Sequence, residues 1–112
     1  FKKFCILNSI DYSILAEINP ETTVTRGEAY VVIEETDLVN LIKTCKCNRL
    51  SIGNDVGIIS YNDTALKEIL LDGITVISTD HAQMGKTAAA LIMGDKREKI
   101  RNDFNLIVRR SL

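Results

Sequence analysis

The chain has 112 residues, 46% of them hydrophobic and 26% charged, the balance expected of one globular domain with a real core. Fourteen basic side chains against fifteen acidic ones leave a net charge of −1, a poor electrostatic match to a phosphate backbone, which argues against nucleic-acid binding by this chain itself. No apolar run is long enough to span a membrane and no stretch within these residues reads as a signal peptide, and the three cysteines, an odd number without framework spacing, fit a reducing compartment.

In chain order, "FKKFCILNS" (1–9) reads as the last turns of an amphipathic helix already under way, so the chain is read as a fragment of a longer protein. "YSIL" (12–15) and "AYVVI" (29–33) are short apolar runs expected to form strands, separated by a polar loop, "NPETTVTRGE", that holds the only proline. The helix that follows, 36–47, starts with Thr36 or Asp37 as cap and places Leu38, Leu41, Ile42 and Cys45 on one face. "GND" (53–55) marks a turn into a third strand, "VGIIS". Asp63 or Thr64 can cap a helix over 64–72 with Leu66, Ile69 and Leu70 on a shared face, and Gly73 suits the left-handed position past its end. A fourth strand, 74–78, precedes a helix from residue 80 to Gly94. Its start has capping-box spacing, Asp80 to Gln83, and its stripe is Met84, Ala88, Leu91 and Ile92. A locally basic stretch from Lys96 to Arg110 reads as solvated surface and contains the fifth strand, "FNLIV" (104–108). Continuous apolar strands alternating with helices predict an α/β fold with a parallel sheet buried on both faces.

Three chemical signals fail on inspection. "GKT" (85–87) resembles the end of a phosphate-binding loop, but position 80 is aspartate where that pattern needs glycine, and a helix begins there. Ser78, Asp80 and His81 have the residue types of a hydrolase triad, yet within four positions they cannot converge. Cys45 and Cys47 with the distant His81 fall short of the four ligands of a closed zinc site, and core packing at a helix end explains them better. No catalytic residue, metal or cofactor is expected.

The second half carries an ordered set of motifs: Ser60-Tyr61-Asn62-Asp63, Ile74-Thr75-Val76-Ile77, Met84-Gly85 with Ala88 to Ala90, and Leu106-Ile107-Val108-Arg109-Arg110-Ser111. Together they resemble the C-terminal part of the effector-binding domain of LacI/GalR-type transcription regulators. "DVGIISYNDTALKEILLDGIT" looks closest to those with a GntR-type winged-helix reader. The resemblance implies the C-terminal lobe of a type I periplasmic-binding-protein-like fold, three layers α/β/α. Residues 1–112 would form a single fragment of that lobe, with helix 80–94 packing against a missing N-terminal lobe.

Ligands of open α/β sheets sit beyond the carboxyl ends of strands. On that rule and the resemblance, Asn62 is the leading ligand contact, an amide where the family usually has a carboxylate. Glu35, Thr79 and His81 follow neighbouring strands and match contact positions, although Glu35 and His81 also read as plain surface residues at helix starts. Asp63 is the cap of the next helix or a secondary contact. The resemblance assigns self-association to Leu70, Leu71, Asn40 and Leu66. The implied function is a non-enzymatic, cytoplasmic sensor of a small-molecule effector, a sugar or sugar derivative, within a homodimeric bacterial regulator. DNA would be read by a domain outside this chain, and no membrane is involved. The alternatives are a periplasmic solute-binding protein of a sugar transporter, which the unpaired cysteines and the "LIVRRSL" ending disfavour, and an α/β enzyme.

Overall fold

The computed structural model describes residues 1–94 and 97–112, so Lys96, the start of the basic stretch, lies outside the described residues. The element order is α1 (Lys2–Leu7), β1 (Ala29–Val32), α2 (Glu35–Cys47), β2 (Gly57–Tyr61), α3 (Ala65–Ile69), a 3₁₀ turn (Leu70–Asp72), β3 (Thr75–Thr79), α4 (His81–Met93) and β4 (Phe104–Ile107).

The strands form one sheet in the order β1-β2-β3-β4. β1, β2 and β3 run parallel, with Val31 opposite Ile59 and Tyr61 opposite Ile77. β4 joins β3 antiparallel, Ile107 opposite Val76, so the sheet is mixed rather than purely parallel. An antiparallel strand at the edge of a parallel sheet is a common α/β arrangement.

Helical periodicity works well in α2. Leu38, Leu41, Ile42 and Cys45 are all buried, packed in one cluster with Val32, Val56, Ile58, Ile74 and Val76. Burial of this kind contributes roughly 1.5–3 kcal/mol for each large aliphatic side chain. Cys45 is fully enclosed, and desolvation pushes its thiol pKa up, whereas Cys47 is exposed. Neither Thr36 nor Asp37 caps α2: the N-cap residue is Glu34, without a side-chain cap bond. Asp37 instead accepts from the Ile18 N–H at 2.9 Å, and Asn40 Nδ2 donates to the Ile18 carbonyl at 2.7 Å. This pair pins the long connection onto α2, and Ile18 and Val24 enter the core from it.

Residues 12–15 form no strand: Tyr12, Ile14 and Leu15 are exposed in irregular chain. Apolar character alone does not make a strand where no neighbour supplies a hydrogen-bond ladder. In α3 the expected apolar face is also absent, since Leu66 and Ile69 are exposed and Lys67 is the buried side chain. Gly73 does have a positive φ, +107°, past the 3₁₀ turn.

No side chain of α4 is buried, and Met84, Ile92 and Met93 all face outward. Residues 85–87 lie within this helix, whose backbone N–H groups are committed. The sheet face away from α2 is open as well, carrying exposed Val31, Tyr61, Phe104 and Leu106. No helix among the described residues is long and apolar enough to cross a membrane.

Candidate ligand-binding site

Parallel β1, β2 and β3 end on the same side of the sheet, and the residues that follow them are brought together there. β2 ends at Tyr61, and Asn62 turns the chain with φ +56°, a left-handed conformation that asparagine tolerates better than most side chains. Three contacts fix it. Its N–H donates to the Ile77 carbonyl at 2.8 Å, its Oδ1 accepts from the Thr79 N–H at 3.4 Å, and its carbonyl accepts from Lys67 Nζ at 3.0 Å. Asn62 Nδ2 donates to no acceptor among the described residues, so its two N–H groups remain available to a ligand.

Lys67 lies beneath this turn with its side chain only 4% exposed. Its Nζ is 2.8 Å from the Tyr61 carbonyl and 3.8 Å from Glu35 Oε1, the first residue of α2. Glu35, Asn62 and Thr79 are thus linked, from the ends of three strands, through one backbone amide and one buried ammonium. Lys67 was not expected from the sequence, where a lysine in a short helix reads as solvent-facing. His81 opens α4 and is exposed, and among the described residues no hydrogen bond joins it to Glu35, Asn62 or Thr79. Asp80 does cap that helix, accepting from the Gln83 N–H at 2.8 Å. The Gln83 side chain turns to Thr87 rather than closing the box.

Asp63 is not the cap of α3. Thr64 Oγ1 fills that place, accepting from the Lys67 N–H at 3.3 Å. Both Asp63 carboxylate oxygens are instead held by Arg109, Oδ1 to one terminal nitrogen at 2.8 Å and Oδ2 to the other at 2.7 Å. Arg109 also donates to the Ile74 carbonyl at 3.0 Å. The clamp therefore joins the end of β2 to the chain's last residues. The Arg109 hydrogen bonds hold the Asp63 carboxyl below its usual pKa.

Because the folded-state pKa is depressed, the clamp contributes fully above the ordinary aspartate pKa. That contribution is lost as pH falls through the lowered value. Asp63→Asn is expected to cost about 1 kcal/mol at neutral pH, the upper part of the range for partly exposed pairs. The variant's deficit relative to the parent should shrink toward pH 3. Urea midpoints at the two pH values check this, and a deficit that does not change with pH would remove the clamp as its cause.

These strand-end contacts sit in a chain whose residues 8–112 match the sequence profile of the periplasmic binding protein-like domain. The chain belongs to that family. Among solved structures, this periplasmic-binding-protein-like chain is similar to a protein from Staphylococcus saprophyticus subsp. saprophyticus described as a candidate transcription regulator. The identity is 28% and the TM-score 0.60, over 75% of this chain and 32% of that one. It is also similar to the transcription regulator CcpA of Lactococcus lactis, with 14% identity and a TM-score of 0.67, over 98% of this chain and 47% of that one. A LacI family transcriptional regulator from Lactobacillus casei with bound glucose aligns at 19% identity and a TM-score of 0.59, over 75% of this chain and 32% of its own. The last two identities speak to the fold alone. No match to a curated protein was found. The chain spans 32% to 47% of the length of the solved chains it resembles. The resemblance to LacI/GalR-type effector-binding domains drawn from residues 56–112 therefore holds at the level of family and fold.

The residues assigned to self-association divide in two. Leu66 is exposed. Leu70 and Leu71 pack partly against the core, and Asn40 is engaged with Ile18 inside the chain.

Proposed function

We propose that this chain is part of the ligand-sensing domain of a bacterial transcription regulator, binding a neutral, hydroxyl-rich effector such as a sugar at the carboxyl ends of β1, β2 and β3. The observation that carries this reading is the joined set Glu35, Asn62 and Thr79, in which a residue with a free amide donor and a residue with an exposed carboxylate are both held by one buried cation. Such a set can accept from and donate to a polyol in one place. Family membership and the glucose held by the Lactobacillus casei relative support the ligand class. His81 extends the site at the start of α4 as a ring that packs on a sugar face.

In this reading the site is half of a cleft. The exposed apolar stripe of α4 packs against an N-terminal lobe supplied by other parts of the protein, and ligand binding shifts an equilibrium between open and closed lobes. The size of that shift is set by the ligand's differential affinity for the two states. Two copies pair through a surface that includes Leu66, and a DNA-reading domain outside this chain, of winged-helix type, responds. The protein is cytoplasmic and catalyses no reaction.

The test is a thermal-shift screen of the protein carrying this chain against monosaccharides, disaccharides and sugar phosphates. At least one compound is expected to raise the midpoint, and Asn62→Ala should weaken its binding about tenfold, the worth of one or two hydrogen bonds. Undiminished binding in Asn62→Ala would place the ligand elsewhere. Turnover of a saccharide that depends on Asn62 would make the protein an enzyme.

A further inference from the structure

Lys67 is the one buried charged residue among the described residues. An ammonium removed from water carries a penalty of several kcal/mol unless it is paired or hydrogen-bonded, and a methionine or leucine would fill the same space without that penalty. Its partners account for its presence. At the end of β2 the left-handed turn at Asn62 aims two successive carbonyls, of Tyr61 and Asn62, at one point, where Lys67 Nζ meets them at 2.8 and 3.0 Å. Without a donor there, both carbonyls would be left poorly satisfied beneath the turn, and the backbone would gain by rotating them toward water. That rotation would carry the Asn62 side chain with it, because φ and ψ of residue 62 determine where its amide points.

We infer that Lys67 is a positioning residue, which holds Asn62 in the pose that presents its amide at the strand ends and ties that pose to Glu35. The third donor of the ammonium faces Glu35 Oε1 at 3.8 Å, an ion pair longer than a hydrogen bond. Glu35 itself is 70% exposed and free to turn toward a ligand. Lys67 thereby connects the start of α2, three residues past the end of β1, with the residue after β2, both beyond the last rung of the β1–β2 ladder at Val32 and Ser60 and joined by no direct side-chain bond among the described residues. The inference deepens the reading of these strand ends as a ligand site, but its test requires no ligand and so stands or falls separately.

The test is residue-level hydrogen–deuterium exchange on the protein carrying this chain, comparing the parent with Lys67→Met. In the folded protein the Asn62 N–H is held by Ile77, the Thr79 N–H by Asn62 Oδ1 and the Asp63 N–H by Ser78 Oγ at 3.0 Å. Loss of the ammonium is expected to speed exchange at Asn62, Asp63 and Thr79 by about tenfold, the change produced by losing one ordinary hydrogen bond. Amides in the body of the sheet and in α2, such as Val76 and Leu41, should keep their protection. Lys67→Arg, which restores a cation with several donors, should recover part of the lost protection at the three turn amides. Where Lys67→Met does not fold, Lys67→Leu replaces it, since it likewise carries no donor, and the same comparison decides. Unchanged exchange at residues 62, 63 and 79 would overturn the inference. So would a rise there matched by an equal rise at Val76 and Leu41, because Lys67 would then serve general stability and not the pose of Asn62.

Discussion

Ser111→Ala is expected to destabilise the protein by roughly 2–4 kcal/mol, a large effect for the loss of one oxygen near a chain end. Ser111 is completely buried. Its hydroxyl accepts from the Thr75 N–H at 2.8 Å and donates to the Ile58 carbonyl at 2.7 Å, while its own carbonyl accepts from the Ile58 N–H at 2.6 Å. The register of β2 and β3 begins at Ile59 opposite Thr75, so the hydroxyl supplies the rung where the direct ladder stops. Alanine leaves a buried donor and a buried acceptor unpaired, each at about 1–3 kcal/mol, with some relief from local adjustment. Arg110→Ala, next door but exposed, should stay within about 0.5 kcal/mol. Urea unfolding gives the comparison, with the midpoint moving and the slope constant. Equal midpoints for the two variants would mean that the hydroxyl is not a structural rung.

The terminal segment also marks the boundary of what was legible in the sequence. Arg109 and Ser111 stand in the sequence as part of a family-like ending, but their roles depend on partners far along the chain, Asp63 being 46 residues from Arg109 and Ile58 being 53 from Ser111. Spacing within a motif holds no information about such partners. Helix α2 was readable because thirteen residues give three turns of periodic apolar positions, all of which proved buried. Helix α3 was not, because five residues give little more than one turn, and its burial was decided by the carbonyls of the preceding strand. The general rule that α/β sheets bind at their carboxyl edge, together with the family resemblance, points to Glu35, Asn62, Thr79 and His81, of which the first three are linked in the structure. The same rule could not reveal Lys67, whose part in the arrangement lies in main-chain geometry. Asp63 and Thr64 are adjacent and both suited to capping, and only the distant guanidinium decided between them. Residues 12–15 have strand composition, and the missing ingredient was a pairing edge.

Gly53→Ala should be more damaging still, at about 3–5 kcal/mol, for two reasons that a second glycine separates. Gly53 has φ +88°, where a residue with a Cβ pays about 1–2 kcal/mol. A Cβ there would also stand 2.1 Å from the Arg110 carbonyl oxygen, far inside contact distance. That oxygen belongs to the main chain and cannot swing aside as the tip of a side chain can, so the segment holding Ser111 must move with it. Gly27 has the same φ of +88° but nothing within 4 Å of the Cβ position, so Gly27→Ala carries only the conformational part. The difference in unfolding midpoint between the two alanine variants therefore measures the clash alone. Because Gly53→Ala and Ser111→Ala disturb the same rung, their double variant should lose less than the sum of the two. Strict additivity, or a Gly53→Ala variant no worse than Gly27→Ala, would show that the chain's end does not lock the sheet. A sub-additive result would identify residues 109–111 as the latch that holds β2 and β3 together below the carboxyl edge of the sheet, with Arg109 reaching from that latch to Asp63 immediately beside Asn62.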